Sequence, residues 1–539
     1  EKDKEKRYQS AGEVRSELVN IEKGLPTTDR VIPTKKPATS KEITVTFNVK
    51  KLLLPAAAVA AVIIVIFLIW QLVLKKEAIV EIADKPSIAV LPFEDLSPER
   101  DQEYFCDGLA EELINRLTKI ENLRIPARAS AFSFKGKDKD FKEIGEKLNV
   151  EMVLDGSVRK AGDRLRISVQ LVNVADGYPV WSEMYERDLE DTFSLWDDIS
   201  LAVVDNLKIE LLGEEKAKLM KRYTDNLEAY NLYVQGRYFW NRRTEDGLNR
   251  AIDYFEQALE LDPEYALAYA GIADAYSMLS SYNFLSPHGA YPKAKVAARK
   301  ALEIEDTLAE AYTSLANIKY RYDFDWLGAE KDFKKAIELN PNYPLAHHWY
   351  GALLRGAGRF SEAHEEFTRA LELDPLSISI RTSAAYVHLN LRQYEESIEQ
   401  SKKTLELDPN YGWVHKILAE TYLQKSMYNE AITLLQKAIT ISSGYLPALG
   451  CAYATAGNKE KALEILEELI TQSRQKYVSN YGIARVYACL GEKDKAFEYL
   501  DKAYEDRDGD LFDTKVDPGL DNLHSDPRFR AFLKKIGLE

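Results

Sequence analysis

Cysteine and histidine are both scarce in this sequence. Its 539 residues include only three cysteines, Cys106, Cys451 and Cys489, each within an apolar helical pattern. Their spacing is that of neither a zinc site nor a disulfide framework, so we expect three buried thiols without a chemical role. The seven histidines have no metal-ligand spacing with cysteine or carboxylates. The sequence therefore predicts no metal site.

The residue groups typical of an enzyme are also missing. The sequence shows no nucleophile paired with a base, no phosphate-binding loop and no metal cluster. Asp107 precedes Gly108 and Asp155 precedes Gly156, but aspartate near a helix start is usually a cap, and Asp-Gly is more typical of a turn or bulge. We therefore predict no catalytic residue and no cofactor for this chain.

Positive charge is in deficit outside the first residues of the chain. The whole sequence has 72 Lys and Arg against 87 Asp and Glu, a net charge of −15. Residues 1–51 hold twelve basic and eight acidic residues, a net +4, which leaves 60 basic and 79 acidic residues, a net −19, for the rest. Because a large negative field repels phosphate backbones, we expect no nucleic-acid binding by the main body.

A single long apolar run extends from Leu52 to Leu74. Its twenty-three residues carry no charge, and as a helix they exceed the ~30 Å of a bilayer's hydrocarbon core. Lysine pairs flank both ends, and the run is internal and lacks the cleavage pattern of a signal peptide. The sequence thus predicts one transmembrane helix at 52–74, with a lipid bilayer as a partner. Residues 24–51, rich in proline, threonine and lysine, predict a solvated linker.

The charges around this run favour one orientation. Residues 32–51 hold five Lys and Arg, whereas residues 75–94 hold three. Because positive charge is enriched on the cytoplasmic side of a membrane helix, we place the N-terminus in the cytoplasm. The larger part of the chain then lies outside the cytoplasm.

Residues 1–23 have the pattern of the end of a helical domain. Ser10 and Glu13 form a capping box, and the helix that follows is too short to bury its apolar stripe alone. We therefore expect the chain to be part of a longer protein. The stretch "KDKEKRYQSAGEVRSEL" resembles the final helix of the bacterial Ser/Thr protein kinase domain, in which the arginine matching Arg7 is structural. The glycine-rich, His-Arg-Asp and Asp-Phe-Gly motifs of kinases are absent, and an unrelated charged helix is the alternative.

Residues 86–212 alternate between strand-like and helix-like patterns. A short buried strand at Ser87–Phe93 is followed by an amphipathic helix, a second strand at Leu123–Arg128 and a second helix. Three antiparallel strands follow within residues 151–189, with turn sequences such as Asp176–Gly177 between them. A closing helix completes what the pattern predicts to be an α+β domain.

Three stretches of this region, "SIAVLPFEDLSP", "YFCDGLAEELINRL" and "MVLDGSVRKAGDRLRISVQLVN", resemble the amino-terminal domain of the translocation protein TolB and its relatives. Similar domains lie between a membrane helix and repeat arrays in bacterial transmembrane kinases, cyclases and regulators. The resemblance spans residues 86–211 and implies a non-enzymatic scaffold. We accordingly expect the chain in the bacterial inner (cytoplasmic) membrane, with its C-terminal domains extracytoplasmic.

Residues 225–506 are organised around a period of 34 residues. Pro341, Pro375 and Pro409 close "AIELNP", "ALELDP" and "TLELDP". This period, with small residues at fixed positions, resembles the tetratricopeptide repeat (TPR), a helix–turn–helix unit that stacks into an α-solenoid. We count seven to eight units, and residues 507–539 resemble the cap that closes such arrays. The predicted fold is mainly α, a TPR α-solenoid preceded by a single transmembrane helix and a small α+β domain.

TPR arrays bind partners on the concave face, which each unit's first helix lines. The family resemblance implies that twelve side chains point there, and an exposed set with tryptophan, tyrosine and arginine is typical of binding hot spots. Lys416 suggests a clamp for a C-terminal carboxylate, but Glu420 stands where such a clamp needs asparagine. A solvated face without a single partner is the alternative. The twelve candidate residues are Asn317, Tyr320, Arg321, His348, Arg355, Thr382, Tyr386, Asn390, Trp413, Lys416, Glu420 and Gln424.

These features together predict a membrane-anchored scaffold or sensor that binds a protein or peptide ligand. On the kinase-like stretch we predict the non-catalytic part of a transmembrane Ser/Thr kinase. Two alternatives stay open. One is an envelope assembly factor unrelated to signalling, and the other is the C-terminal part of a TPR-containing cyclase or transcriptional regulator. The oligomeric state is open as well.

Overall fold

The computed structural model describes residues 85–539 except for residues 163, 189–191 and 212. The kinase-like stretch at 1–23, the linker at 24–51 and the predicted transmembrane helix at 52–74 lie outside the described residues. In the described range, no helix is long and apolar enough to cross a membrane. The described residues belong to one compact unit, in which an α+β domain precedes a helical array.

A five-stranded sheet forms the centre of the α+β domain. Strands β3 (Met152–Ala161), β4 (Arg164–Asn173) and β5 (Pro179–Asp188) make an antiparallel meander. The short strands β1 (Ile88–Val90) and β2 (Glu94–Asp95) pair with β3 in parallel. The three antiparallel strands predicted from the sequence are thereby confirmed.

The alternating pattern of β4 shows why this stretch forms a strand. Leu165, Ile167, Val169 and Leu171 are all buried, and the residues between them are more exposed. Because successive side chains of a strand point to opposite faces, this alternation places one apolar face of the sheet in the core.

The predicted strand at Leu123–Arg128 is wrong. Only a single parallel bridge forms there, between Ser87 and Arg124. Pro126 has no N–H with which to continue a ladder, and the Ala127 N–H donates instead to the Leu373 carbonyl of the helical array, at 2.7 Å. This stretch therefore forms part of the contact between the α+β domain and the helical array.

Helices cover both faces of the sheet. The helices of this domain are α1 (Glu103–Leu117), α2 (Arg128–Phe132), α3 (Phe141–Leu148), α4 (Thr192–Asn206) and α5 (Gly213–Leu219). The side chains of Ile88 and Val90 pack with the buried side of α1 and α4, whereas Ala89 and Leu91 face α3. A buried ion pair between Arg116 and Asp197, 2.6 Å long, joins α1 to α4.

Eight consecutive helix pairs form the array in the described part of the chain. The first helix of each pair packs against the second and against the first helix of the next pair. The pairs are α6 (Leu227–Trp240) with α7 (Glu245–Leu261), α8 (Ala266–Ser281) with α9 (Pro287–Ile304), α10 (Ala309–Ile318) with α11 (Trp326–Leu339), α12 (Pro344–Gly356) with α13 (Phe360–Leu373), α14 (Ile378–Asn390) with α15 (Tyr394–Leu407), α16 (Gly412–Gln424) with α17 (Tyr428–Ile441), α18 (Leu446–Thr455) with α19 (Lys459–Gln472), and α20 (Asn480–Leu490) with α21 (Lys493–Glu505).

The repeating small residues act where helices approach one another closely. A Cβ added at Gly271 would lie 2.7 Å from the ring of Phe255, and one at Gly351 would lie 2.9 Å from the ring of Phe367. Both phenylalanines are fully buried. A side chain larger than hydrogen at either glycine would force the helices apart, which explains the alternation of small and large residues along the repeat.

One inserted residue in the third pair forms a π-helical turn. Lys319–Asp323 continues α10 with the wider i→i+5 pattern, and Phe324 then ends it with a φ of 58°. Such a turn adds a residue to a helix without breaking it. The side chains of Tyr320 and Arg321 lie on this turn.

The expectation of three unpaired cysteines is wrong for two of them. Cys451 of α18 and Cys489 of α20 form a disulfide with a Cα–Cα distance of 5.3 Å, whereas Cys106 is a buried free thiol. The sequence separation of 38 hid the pair from the sequence pattern, because only the stacking of neighbouring repeats brings the two helices together.

The α+β domain docks on the array at several places. Helix α1 lies on α6, where Glu111 accepts from Arg237 at 2.9 Å. Although burial opposes its ionisation, the guanidinium groups of Arg237 and Arg128 hold the pKa of Glu111 below its ordinary value. Further along, the amide of Asn342 donates to the Thr118 carbonyl at 3.0 Å.

Candidate binding groove

The inner helices of the array enclose a stretch of the chain's own C-terminus. Two 3₁₀ turns, Gly509–Asp513 and Pro518–Leu523, follow the last helix pair and precede α22 (Pro527–Lys535). Their starts are capped by the carboxylates of Asp508 and Asp517. We call residues 507–523 the C-terminal segment, and the surface of α10, α12, α14, α16 and α20 that contacts it the groove.

Side chains of the groove hold main-chain carbonyls of the segment. Arg321 donates to the Gly509 carbonyl at 3.3 Å, and the amide of Asn390 donates to the Val516 carbonyl at 3.0 Å. The same Arg321 is oriented by Asn317, which accepts from its Nε at 3.1 Å. Contacts of this kind recognise polypeptide backbone and do not depend on the side chain that follows.

An aromatic contact lies at the centre of the groove. Phe512 packs edge-on against Tyr320, with ring centroids 5.6 Å apart, and the guanidinium of Arg321 lies 4.4 Å from its ring. The backbone comes equally close, since a Cβ at Gly356 would lie 2.5 Å from the Phe512 carbonyl oxygen. Leu511 beside Phe512 is fully buried. The groove therefore takes an aromatic side chain and the backbone that carries it.

Arg355 and Asp513 form an ion pair next to this aromatic contact. The Arg355 Nη2 lies 2.6 Å from the Asp513 carboxylate, and the arginine side chain is 4% exposed. Its guanidinium also lies 4.1 Å from the centroid of the Tyr386 ring. Burial raises the pKa of Asp513 despite the nearby charges of Arg355 and Lys416.

A second buried carboxylate of the segment meets Arg485. Asp517 accepts from the Arg485 Nε at 3.0 Å and from the Tyr481 hydroxyl at 2.8 Å. Burial disfavours the charged form of Asp517, but the arginine charge outweighs it and lowers the pKa. Glu420 accepts from the other end of Arg485, and Lys416 lies 3.5 Å from Glu420.

The structure brings most of the twelve predicted residues together but does not leave them exposed. Exposure was the wrong part of the prediction for the six that are buried, and the C-terminal segment lies against the inner helices that carry the set. The residues that touch the segment directly, or support one that does, are Asn317, Tyr320, Arg321, Arg355, Tyr386, Asn390, Lys416 and Glu420.

The other four predicted residues lie on the first helices of the same pairs but do not hold the C-terminal segment. The Thr382 hydroxyl is buried and donates within its own helix, to the Ile378 carbonyl at 2.8 Å. His348 contacts the Ser383 hydroxyl, and burial, assisted by nearby arginine charges, lowers its pKa to about 3, so that the ring is neutral. Trp413 is half-buried and Gln424 is exposed.

Sequence reasoning missed the residues that the groove receives from the last repeat and the chain end. Tyr481 and Arg485 lie on α20, at positions that the repeat pattern places on an inner face. The acidic stretch "DGDLFDTKVDPGLD" holds five aspartates and one lysine, a net −4. That density of negative charge around Phe512 could have predicted that this stretch binds in the groove, since the predicted groove residues include two arginines and a lysine.

Family models match both parts of the described chain. Residues 83–202 match the model of the HilA/YgeH-like transcriptional regulator, second domain, where the sequence resembled the TolB domain. Tetratricopeptide repeat models match residues 248–265, 344–377, 378–411, 417–445 and 448–510.

Two curated relatives each match 44% of this chain. Putative adenylate cyclase 3 of Rhizobium meliloti is 33% identical over 241 residues, 44% of this chain and 40% of the relative. The transcriptional regulator HilA of Salmonella typhimurium is 22% identical over 250 residues, 44% of this chain and 42% of the relative. This chain thus spans less than half the length of either relative.

Two solved structures match part of this chain with low TM-scores. PilF of Pseudomonas aeruginosa is 21% identical, with a TM-score of 0.30, over 39% of this chain and 95% of that one. Human IFIT1 is 15% identical, with a TM-score of 0.40, over 58% of this chain and 77% of that one. The matched repeat models and the eight helix pairs together identify the array as tetratricopeptide repeats.

Proposed function

We propose that this chain is the non-catalytic, partner-binding part of a membrane-anchored bacterial signalling protein, and that its TPR groove binds a protein or peptide. The observation that carries the proposal is the occupied groove. Arg321 and Asn390 hold main-chain carbonyls, while Arg355 and Arg485 hold carboxylates, so this face already binds a polypeptide. TPR arrays bind peptide or protein partners on this surface.

The disulfide supports an extracytoplasmic position for the array. Disulfides persist in oxidising compartments such as the periplasm and are rare in the bacterial cytoplasm. A bonded Cys451–Cys489 pair therefore agrees with a membrane helix at 52–74 whose C-terminal side faces outward. Reporter fusions on each side of that helix test this topology, and a cytoplasmic reporter signal from residue 539 would contradict it.

A cross-linking experiment in cells tests the proposed groove. A photo-reactive amino acid replaces Trp413 or Gln424 on the inner helix α16, and, as the control, Leu463 on the outer helix α19, which is 53% exposed. We expect an adduct with the same partner from the two inner positions and none from the control. Adducts only from Leu463, or from none of the three, would contradict partner binding in the groove.

The parent protein has two candidate identities. The kinase-like stretch at 1–23 supports a transmembrane Ser/Thr kinase. A second candidate is a TPR-containing cyclase or transcriptional regulator, which is favoured by the relatives named adenylate cyclase 3 and HilA. Sequencing the gene upstream of the Glu1 codon distinguishes them, since a kinase core there would support the first candidate and a cyclase or DNA-binding domain the second.

A further inference from the structure

The C-terminal segment has the character of a ligand that the molecule supplies to itself. We infer that the groove recognises an acidic peptide with an aromatic residue followed by a carboxylate, and that the partner displaces the C-terminal segment by presenting this chemistry. The inference rests on the proposed function, to which it adds the nature of the partner and a mode of regulation. Phe512 and Asp513 are the residues whose equivalents the partner must carry.

Charge complementarity is the first support. The segment carries a net −4 between residues 508 and 521. The groove meets it with Arg321, Arg355 and Arg485, each of which binds a carbonyl or a carboxylate of the segment. Lys416 adds a fourth positive charge beside Asp513 and Asp517. A basic or purely apolar peptide would leave these cations buried without partners, which is unfavourable.

The fit at Phe512 is the second support. Its ring contacts Tyr320, Arg321 and Arg355, with the Arg355 guanidinium 5.4 Å from the ring centroid. Cation–π contacts favour an aromatic ring over an aliphatic side chain of similar size. The backbone of Phe512, in the 3₁₀ turn Gly509–Asp513, approaches Gly356 so closely that a Cβ there would lie 2.5 Å from the Phe512 carbonyl oxygen.

Two buried polar groups of the groove are available to form additional hydrogen bonds with a ligand. Among the described residues, the Arg355 Nη1 and the Asn390 Oδ1 are buried without a hydrogen-bond partner. Arginine binds a carboxylate most strongly when both terminal nitrogens take part. Asp513 uses only one of them, so a partner that places its carboxylate across the whole guanidinium gains hydrogen bonds that the C-terminal segment does not make.

The segment competes because it is tethered at both ends. Glu505 ends α21 just before it, and beyond it the Ile536 carbonyl accepts from the Trp326 indole N–H at 2.9 Å. A short tether keeps a ligand at an effective concentration on the order of millimolar. A free peptide with the same sequence should therefore bind the intact protein poorly and a variant with a released segment well.

Binding of a synthetic peptide to the full-length chain tests the inference. The probe is a fluorescent peptide of residues 507–523, and the released variant carries Phe512→Ala and Asp513→Ala. Fluorescence anisotropy is expected to show binding to the released variant about tenfold tighter, or more, than to the wild type. Adding Gly356→Ala to the released variant should abolish binding, whereas adding Gly213→Ala, where a Cβ meets nothing within 4 Å, should not.

Two outcomes would overturn the inference. One is a released variant that binds the peptide no better than the wild type. The other is equal binding of a peptide with alanine at the positions of Phe512 and Asp513. Both leave the cross-linking test of the proposed function unaffected, so the two failures are distinguishable.

A measurement on the wild-type protein tests the same inference if the released variant does not fold. We expect a large excess of the peptide to speed hydrogen exchange at the amides of residues 511–514, because displacement frees the segment. Unchanged exchange at saturating peptide would contradict displacement.

Discussion

At Gly356 a single hydrogen atom decides how closely the C-terminal segment approaches helix α12. A Cβ at this position would come within 2.5 Å of the Phe512 carbonyl oxygen, a backbone atom that cannot turn aside as the end of a flexible side chain could. A methyl group there must displace the segment, whereas alanine favours the helix itself. Substitution of Gly356 by alanine therefore tests docking of the segment without weakening helix α12.

We predict that Gly356→Ala lowers the free energy of unfolding by about 1–3 kcal/mol, the usual cost of overpacking. The midpoint of urea denaturation measures it. Gly213→Ala is the matched control, and it should change stability by less than about 0.5 kcal/mol because its Cβ meets open space. An unchanged midpoint for Gly356→Ala would show that the segment does not lie against α12.

Protonation of Asp374 makes the contact between the α+β domain and the array depend on pH. It accepts hydrogen bonds from the main-chain N–H of Ser130, at 3.0 Å, and from the Ser130 hydroxyl. Burial raises its pKa to about 6, against the opposing effect of these hydrogen bonds. The folded state thus binds this proton more tightly than the unfolded state, and the stability that the group contributes falls as pH rises from about 4 through about 6.

Asp374→Asn should therefore gain stability relative to the wild type as the pH rises from 4 to 7, by roughly 2 kcal/mol, since the amide has no proton to lose. Urea midpoints at several pH values measure the difference. Asn342→Ala serves as a control at the same interface, because it removes a neutral donor and should lower stability equally at every pH. Parallel pH profiles for Asp374→Asn and the wild type would contradict the prediction.

At the scale of elements, the disulfide fastens two neighbouring inner helices. Cys451 of α18 and Cys489 of α20 close a loop of 38 residues that includes the whole of α19. A cross-link of this length restricts the unfolded chain more than the folded one, which stabilises the array by about 4 kcal/mol on the chain-entropy estimate.

We predict that the denatured, unreduced protein has one titratable thiol, Cys106, out of three. Cys451→Ala with Cys489→Ala should lower stability by about 4 kcal/mol, and added reductant should then cause no further change. A count of three thiols in protein isolated from the envelope would contradict both the disulfide and the support that it lends to the extracytoplasmic position.

The π-helical turn shows how an insertion becomes part of the groove. Lys319–Asp323 holds one residue more than the regular repeat, and the turn carries Tyr320 and Arg321 toward the C-terminal segment. An insertion that looked like a defect in the period thus supplies the aromatic contact and one of the arginines. π turns of this kind are frequent at functional sites.

At the scale of the whole molecule, one helix pair carries both the domain contact and the groove. Asn342 precedes α12 and Asp374 follows α13, and both hold the α+β domain. Arg355 and Gly356 at the end of α12 hold the C-terminal segment. The groove residues at the end of α12 are therefore separated from each of these two domain contacts by the length of one helix.

We predict that Ser130→Ala with Asn342→Ala loosens the α+β domain from the array, because it removes four hydrogen bonds between them and leaves the Asp374 carboxylate with fewer donors. Trypsin cleavage at Lys208, an exposed residue between α4 and α5, should become several-fold faster. Ser133→Ala, which removes a hydrogen bond within its own turn, is the control and should leave the cleavage rate unchanged.

The sequence by itself determined the elements and their order. The 34-residue period, with glycine or alanine opposite phenylalanine, encodes helix pairs because each unit repeats the same local packing, and the alternation in β4 encodes a strand for the same reason. These signals act over a few residues and survive without knowledge of the rest of the chain.

Only the tertiary structure decided what the groove contains. Arg355 and Asp513 are 158 residues apart, and Ser130 and Asp374 are 244 apart, so no local pattern links either pair. The cysteine pair was missed for the same reason. Stacking of the helix pairs brings the chain end back onto the inner helices, where residues predicted to be exposed, such as Tyr320 and Arg355, are buried.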